Sequence, residues 1–176
     1  MAEHGRRRRR LVLTASPLQG HMTPMLHHAT FLHSKGFSLT IAHSELNRPD
    51  PSNHPAFTFL PLLDHLSVTP GFANVVQFLQ VLNDNCRQHF QEHLGQIIKA
   101  QKDASEKESI VIIYDNLMYF AGSVAGDLGL PSIILRTSSA STFPAIKIIP
   151  RLHQEGRLPV QGNPLFISWI VNKLNV

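Results

Sequence analysis

Histidine and aspartate are the side chains best suited to moving a proton near neutral pH. In this chain of 176 residues, one of each stands where a short apolar run gives way to a helical stretch. His21 follows the run Leu11 to Ala15, on the turn that opens a helix expected from His21 to Lys35. In open α/β sheets, ligands bind outside the carboxyl ends of the strands. The positive end of the helix dipole at that place favours a neutral imidazole able to accept a proton, which is the placement of a general base. Asp115 closes the run Ile110-Val111-Ile112-Ile113-Tyr114, 94 residues further on. Strand ends on one sheet edge converge in space, and a carboxylate there can fix the tautomer of a base and balance its charge. The plainer reading has His21 only capping a turn and Asp115 only capping the helix that follows it. A third run gives out at Arg136-Thr137-Ser138-Ser139, whose hydroxyls and free helix N–H groups suit a phosphate or a sugar, although serine and threonine are also ordinary helix caps.

Other constellations are weaker. Cys86, His89 and His93 fall on one helical face at spacings compatible with zinc. Cys86 also belongs to that helix's apolar stripe and no fourth ligand is evident, so no metal is expected. His27, His28, His33 and His43 read as helix-surface or strand-end residues. The chain has no Gly-x-Gly-x-x-Gly, Walker A or His-Glu-x-x-His motif, and Gly122-Ser123-Val124-Ala125-Gly126 carries its serine in the wrong place for a nucleophile elbow.

The elements that must position these residues alternate in period, which is the sign of parallel βαβ units. Strands are expected at Leu11 to Ala15, Phe37 to Ala42, Phe57 to Leu60, Ile110 to Tyr114 and Ser132 to Leu135, the last two buried. The first helix is expected to start with Thr23 and Pro24 in the cap and first-turn positions and to stop at Gly36. Asn47 to Pro55 reads as a loop. From Asn74 to Lys102, apolar residues recur by three and four, giving one long helix with a single buried stripe. Helices are also expected at Tyr119 to Leu128, ended by Gly129, and at Ser139 to Leu152. The fold class is therefore α/β, a parallel sheet flanked by helices.

Composition excludes several function classes. With 43% hydrophobic and 16% charged residues, the chain can build a core, and no run of 18 apolar residues offers a membrane span. The formal charge of +4 is set by the run Arg6 to Arg10, without which the body stands at −1. No basic stripe interleaved with aromatics is present, so a nucleic-acid partner is not expected. The apolar stretch after the arginines is too short for a leader peptide. One cysteine and no Asn-x-Ser/Thr sequon point to a cytoplasmic protein.

Taken as a set, Pro17-Leu18-Gln19-Gly20-His21-Met22-Thr23-Pro24-Met25, Leu32-His33-Ser34-Lys35-Gly36-Phe37, Tyr114-Asp115 and Thr137-Ser138-Ser139-Ala140 resemble the N-terminal half of plant family-1 UDP-glycosyltransferases. The likeness is closest to the subgroup that includes benzoxazinone, cytokinin and steviol glucosyltransferases, and it runs from about Arg10 to Gln161. The resemblance implies the acceptor-binding, Rossmann-like domain of a GT-B fold. It implies inverting transfer of a hexose, expected to be glucose, from a UDP-sugar to a small hydrophobic metabolite of plant secondary metabolism. His21 and Asp115 would be catalytic, Thr137 would touch the donor sugar, and Leu18, Leu117 and Thr142 would line the acceptor site. UDP-glucose would be a co-substrate, with no cofactor, no metal and no identified protein partner. The expected layout is a flexible arm over 1–10, the acceptor domain over 11–161 and an atypical tail over 162–176, without the family's donor-binding domain. A chain of this extent is expected to be inactive alone. The alternative is a non-catalytic remnant that only binds an acceptor or a protein partner.

Overall fold

The computed structural model describes residues 9–66, 75–102, 108–141, 144, 147–148, 151–152 and 155–156. Five strands form one parallel sheet in the order β3-β2-β1-β4-β5: β1 (Arg9–Thr14), β2 (Ser38–Ser44), β3 (Thr58–Leu62), β4 (Ser109–Asp115) and β5 (Ser132–Leu135). Three helices connect them: α1 (Gln19–Ser34), α2 (Val75–Lys102) and α3 (Phe120–Asp127). The chain divides into two compact units, one of Met1–Gly71 with Leu79–Thr137 and one of Phe72–Phe78 with Ser138–Val176. The sheet lies in the first. In the second, Pro144, Lys147, Ile148, Arg151 and Leu152 are helical; Thr142 and the tail over 162–176 lie outside the described residues.

β1 is the middle strand of the five, Leu13 standing opposite Ile41 of β2 on one side and Ile113 of β4 on the other. Side chains alternate across a strand. Leu11, Leu13, Leu39, Ile41 and Ile113 therefore share a core with Met22, Met25 and Ala29 of α1. α2 buries Leu79, Leu82, Cys86, Phe90 and Leu94, the stripe expected from its spacing, and the Phe90 ring meets Phe120 of α3 edge to face at 5.5 Å. Each such side chain contributes on the order of 1.5–3 kcal/mol by leaving water.

Several boundaries differ from the sequence reading for physical reasons. β1 begins at Arg9, not after the arginines, so the expected arm over 1–10 loses its last two residues to the sheet; the Arg10 guanidinium pairs with Glu108 at 2.8 Å. α1 starts at Gln19 with Leu18 in the cap position and no side-chain cap, which places Pro24 inside the helix rather than in its first turn. The residue four before Pro24 is Gly20, around which a Cβ would meet nothing within 4 Å. The helix closes at Gly36, whose φ of 87° is the left-handed conformation a C-terminal glycine supplies. β3 runs on through Pro61, tolerated because β3 is an edge strand. β5 is the other edge and is not buried: Ile133 and Ile134 are half exposed. An uninterrupted apolar run marks a strand covered on both faces only when it is also central. Gly122 of α3 permits a close approach, since a Cβ there would overlap the Tyr114 hydroxyl.

His43, expected at a strand end, is fully buried there, its Nδ1–H donated to the Ser44 carbonyl and its ring edge-on to Phe59. Burial, reinforced by Arg48, lowers its pKa below the ordinary 6.5, while the Ser44 bond, Glu45 and Asp64 act the other way. The folded chain therefore holds this histidine neutral at a pH where the unfolded chain protonates it, so its contribution to stability is present above about 6.5 and is lost as pH falls. The urea midpoint should drop between pH 7.5 and pH 5.5, and His43→Gln should shrink that drop. An equal drop in the variant would contradict the assignment.

Candidate functional site

The strand order reverses direction beside β1, whose chain neighbour β2 lies on one side while β4 arrives on the other, so the crevice at a topological switch point opens between the carboxyl ends of β1 and β4. His21 lies in the first turn of α1, just past β1, and Asp115 is the last residue of β4. The two meet there. His21 Nδ1 stands 2.6 Å from Asp115 Oδ2 and 3.1 Å from Thr137 Oγ1. Thr137 follows β5, the next strand over, so three neighbouring strand ends deliver the three side chains picked out in the sequence.

The electrostatics follow from burial. The Asp115 side chain is 0% exposed and that of His21 is 23% exposed. A buried carboxylate is tolerated only when donors satisfy it. Asp115 Oδ2 accepts from His21 Nδ1–H, and Oδ1 accepts from the Leu117 backbone N–H at 2.8 Å. Asp115 does not cap the helix that follows, whose cap position is Tyr119; its Oδ1 bond closes the turn ahead of α3 while Oδ2 makes the pair with His21. With Nδ1–H committed to the carboxylate, the neutral ring carries its lone pair on Nε2, the arrangement required of a base whose tautomer is fixed by an acidic partner. The backbone supports the placement: His21 N–H and Met22 N–H both donate to Leu18 O at 2.9 Å, and Asn116 N–H donates to Leu135 O at 3.2 Å.

The other expected site residues stand as follows. Leu18 is 38% exposed at the start of α1 and Leu117 is half-buried in the turn after Asp115; neither enters the sheet core. Thr142 lies outside the described residues. Cys86 is buried in the stripe of α2, and burial pushes its thiol up to about 12, which opposes metal-binding thiolate. His89 and His93 have ring centroids 4.6 Å apart, and His89 accepts the Leu63 N–H. Among the described residues no three ligating side chains group around one point, and no helix is long and apolar enough to cross a membrane.

Three residues that fix the loops of this edge were missed in the sequence. Asn47, after β2, donates to Pro17 O at 2.8 Å and so ties down the turn that carries His21. Asp64, buried after β3, accepts from the Ser44 hydroxyl, from Glu45 N–H at 2.8 Å and from Leu66 N–H at 3.1 Å. Asn83 of α2 bonds the turn after β4. The only signal for Asn83 was a polar side chain four residues from Leu79 and three from Cys86, inside an apolar stripe.

No family model matches the chain. Among curated proteins it is 56% identical over 137 residues to UDP-glycosyltransferase 76H1 of Stevia rebaudiana, covering 77% of this chain and 31% of that one. It is 37% identical over 158 residues to UDP-glycosyltransferase 76C1 of Arabidopsis thaliana, covering 88% and 34%. The chain thus spans about a third of the length of the curated relatives it matches. Solved structures show the same fold. Phytolacca americana UGT2, complexed with UDP-2fluoro-glucose and pterostilbene, aligns with a TM-score of 0.72 at 19% identity over 89% of this chain and 37% of that one. Os79 of O. sativa, in complex with UDP, aligns at 0.70 and 18% identity over 93% and 42%.

Short charge-assisted bonds deshield the bridging proton. The folded chain should give an imidazole N–H resonance far downfield, identified by its loss in His21→Asn and absent in Asp115→Ala. A folded wild type without that resonance would contradict the 2.6 Å pairing.

Proposed function

We propose, from the premise that this chain is by sequence a relative of the plant UDP-glycosyltransferases and shares the fold of part of their GT-B structures, that it is the N-terminal part of such an enzyme and supplies the acceptor side and the general base of an inverting hexosyl transfer. The observation that carries the proposal is the His21–Asp115 pair at the switch-point crevice.

In this reading His21 Nε2 takes the proton of an acceptor hydroxyl. The oxygen attacks the anomeric carbon of UDP-glucose from the face opposite the nucleotide. The bond to UDP breaks and its electron pair leaves with the diphosphate, so the configuration inverts. Asp115 stabilises the imidazolium formed at the transition state and holds the ring in place. Thr137, packed against the same ring nitrogen, has a hydroxyl hydrogen to offer the donor sugar or its phosphate. Leu18 and Leu117, neither of them in the core, supply apolar area for a hydrophobic aglycone, with Thr142 as a third acceptor contact.

The acceptor domain in this reading covers 11–161, in a cytosolic protein whose only co-substrate is the UDP-sugar. Because the chain spans about a third of its curated relatives, the holding of UDP is assigned to a donor-binding part outside these residues. Orienting two substrates in line is worth about 7–11 kcal/mol of barrier, which the acceptor side alone does not provide. The alternative, binding without transfer, is separated from transfer by one experiment. A chimera joining this chain to the remainder of the Stevia relative should form glucosides from UDP-glucose and small phenolic, cyclic hydroxamate or cytokinin acceptors. His21→Ala in that chimera should lower turnover by about 10²–10⁴ with the KM for UDP-glucose little changed. Asp115→Asn should cost less. Undiminished turnover in His21→Ala would sink the mechanism, and acceptor binding without any glucoside would favour the binding-only alternative.

A further inference from the structure

The buried amide of Asn83 belongs to α2, yet its hydrogen bonds serve the turn that carries Asp115. Its Nδ2 donates to Leu79 O one helical turn back and to Leu117 O, each at 2.8 Å, and its Oδ1 accepts from Phe120 N–H at 3.0 Å. Both amide hydrogens and the carbonyl oxygen are thus used in a residue only 1% exposed. Leu117 is held at both of its polar atoms: its N–H goes to Asp115 Oδ1 and its C=O to Asn83. Phe120 is the first residue of α3, and the cap residue Tyr119 makes no side-chain cap bond, so Asn83 also performs the capping of α3 from a neighbouring helix. The connection runs unbroken from Asn83 through Leu117 to the Asp115 carboxylate and on to His21 Nδ1.

We infer that Asn83 is a positioning residue for the His21–Asp115 pair, setting the angle of the carboxylate through the Leu117 peptide, beyond its service as a cap. The inference rests on the proposed role of His21 for its catalytic meaning. Its physical content is narrower: loosening the Leu117 carbonyl loosens Leu117, and with it the one backbone donor that aims Asp115.

Two substitutions divide the amide's jobs. Asn83→Ala removes all three bonds. Asn83→Asp is nearly isosteric and keeps an acceptor for Phe120 N–H, but it offers no donor to Leu117 O. The readout in the full 176-residue chain is the His21 imidazole N–H resonance and its exchange with water, with the amide of Leu13 in the central strand as the control for an intact fold. In both variants that resonance should move upfield and exchange about tenfold faster, while Leu13 stays protected. If Asn83→Asp leaves the His21 proton at its wild-type position and rate, the amide is only a cap for α3 and the inference is overturned, whatever Asn83→Ala does. If Asn83→Ala does not fold, Asn83→Asp decides alone. Because hydrogen bonding and not turnover is measured, a negative result leaves the transferase proposal standing, and an inactive chimera leaves this inference standing.

Discussion

A carboxylate with no access to water is the constraint around which this edge of the molecule is arranged. Asp115 is wholly buried, and an ionised group in that position is tolerated only if its oxygens are met by donors of sufficient strength. One donor comes from the backbone two residues on and the other from a histidine 94 residues away. The first is local and almost guaranteed by the turn. The second requires β1 and β4 to be neighbours in register, which they are, Thr14 facing Tyr114. The need to satisfy one charge and the fixing of one imidazole tautomer are thereby met by a single contact.

Around that contact the loops are held by polar residues that bond mainly to backbone. Asn47 reaches from the β2 loop to Pro17, Asp64 gathers the loops after β2 and β3, and Asn83 fastens the turn after β4. Loops are ordinarily the more mobile parts of an α/β sheet, and such side-chain-to-backbone bonds are what let a site on loops keep the geometry of the strands beneath it. The core contributes rigidity from below, with Leu13, Ile41 and Ile113 in register under the helix that carries His21.

His21, Asp115 and Thr137 were legible in the sequence because each stands just where an apolar run ends, and a parallel sheet puts all such ends on one side. The sheet itself was legible for the same reason, from the alternation of short β-branched runs with longer amphipathic ones. Asn47, Asp64 and Asn83 were not, because a bond to a backbone carbonyl or amide asks nothing of the identity of its partner and so leaves no pattern. The start of α1 was misread because Thr23-Pro24 has the composition of a helix start, while the actual start at Gln19 has no side-chain cap to advertise it. The exposure of β5 was missed because an apolar tetrapeptide reads alike in the centre and at the edge of a sheet, and only the strand order tells them apart.

The strand order also dictates a timetable. β1 is the first strand made and the central one, and its pairing with β2, like that of β2 with β3, closes short loops, whereas its other edge waits for residues 109–115. Closing that distance costs chain entropy before any contact repays it, so the local half of the sheet has the kinetic advantage. During synthesis, the apolar edge of β1 therefore stays open until all of α2 has left the ribosome, and a protein with this topology has a window in which a chaperone or a wrong strand can reach its central strand.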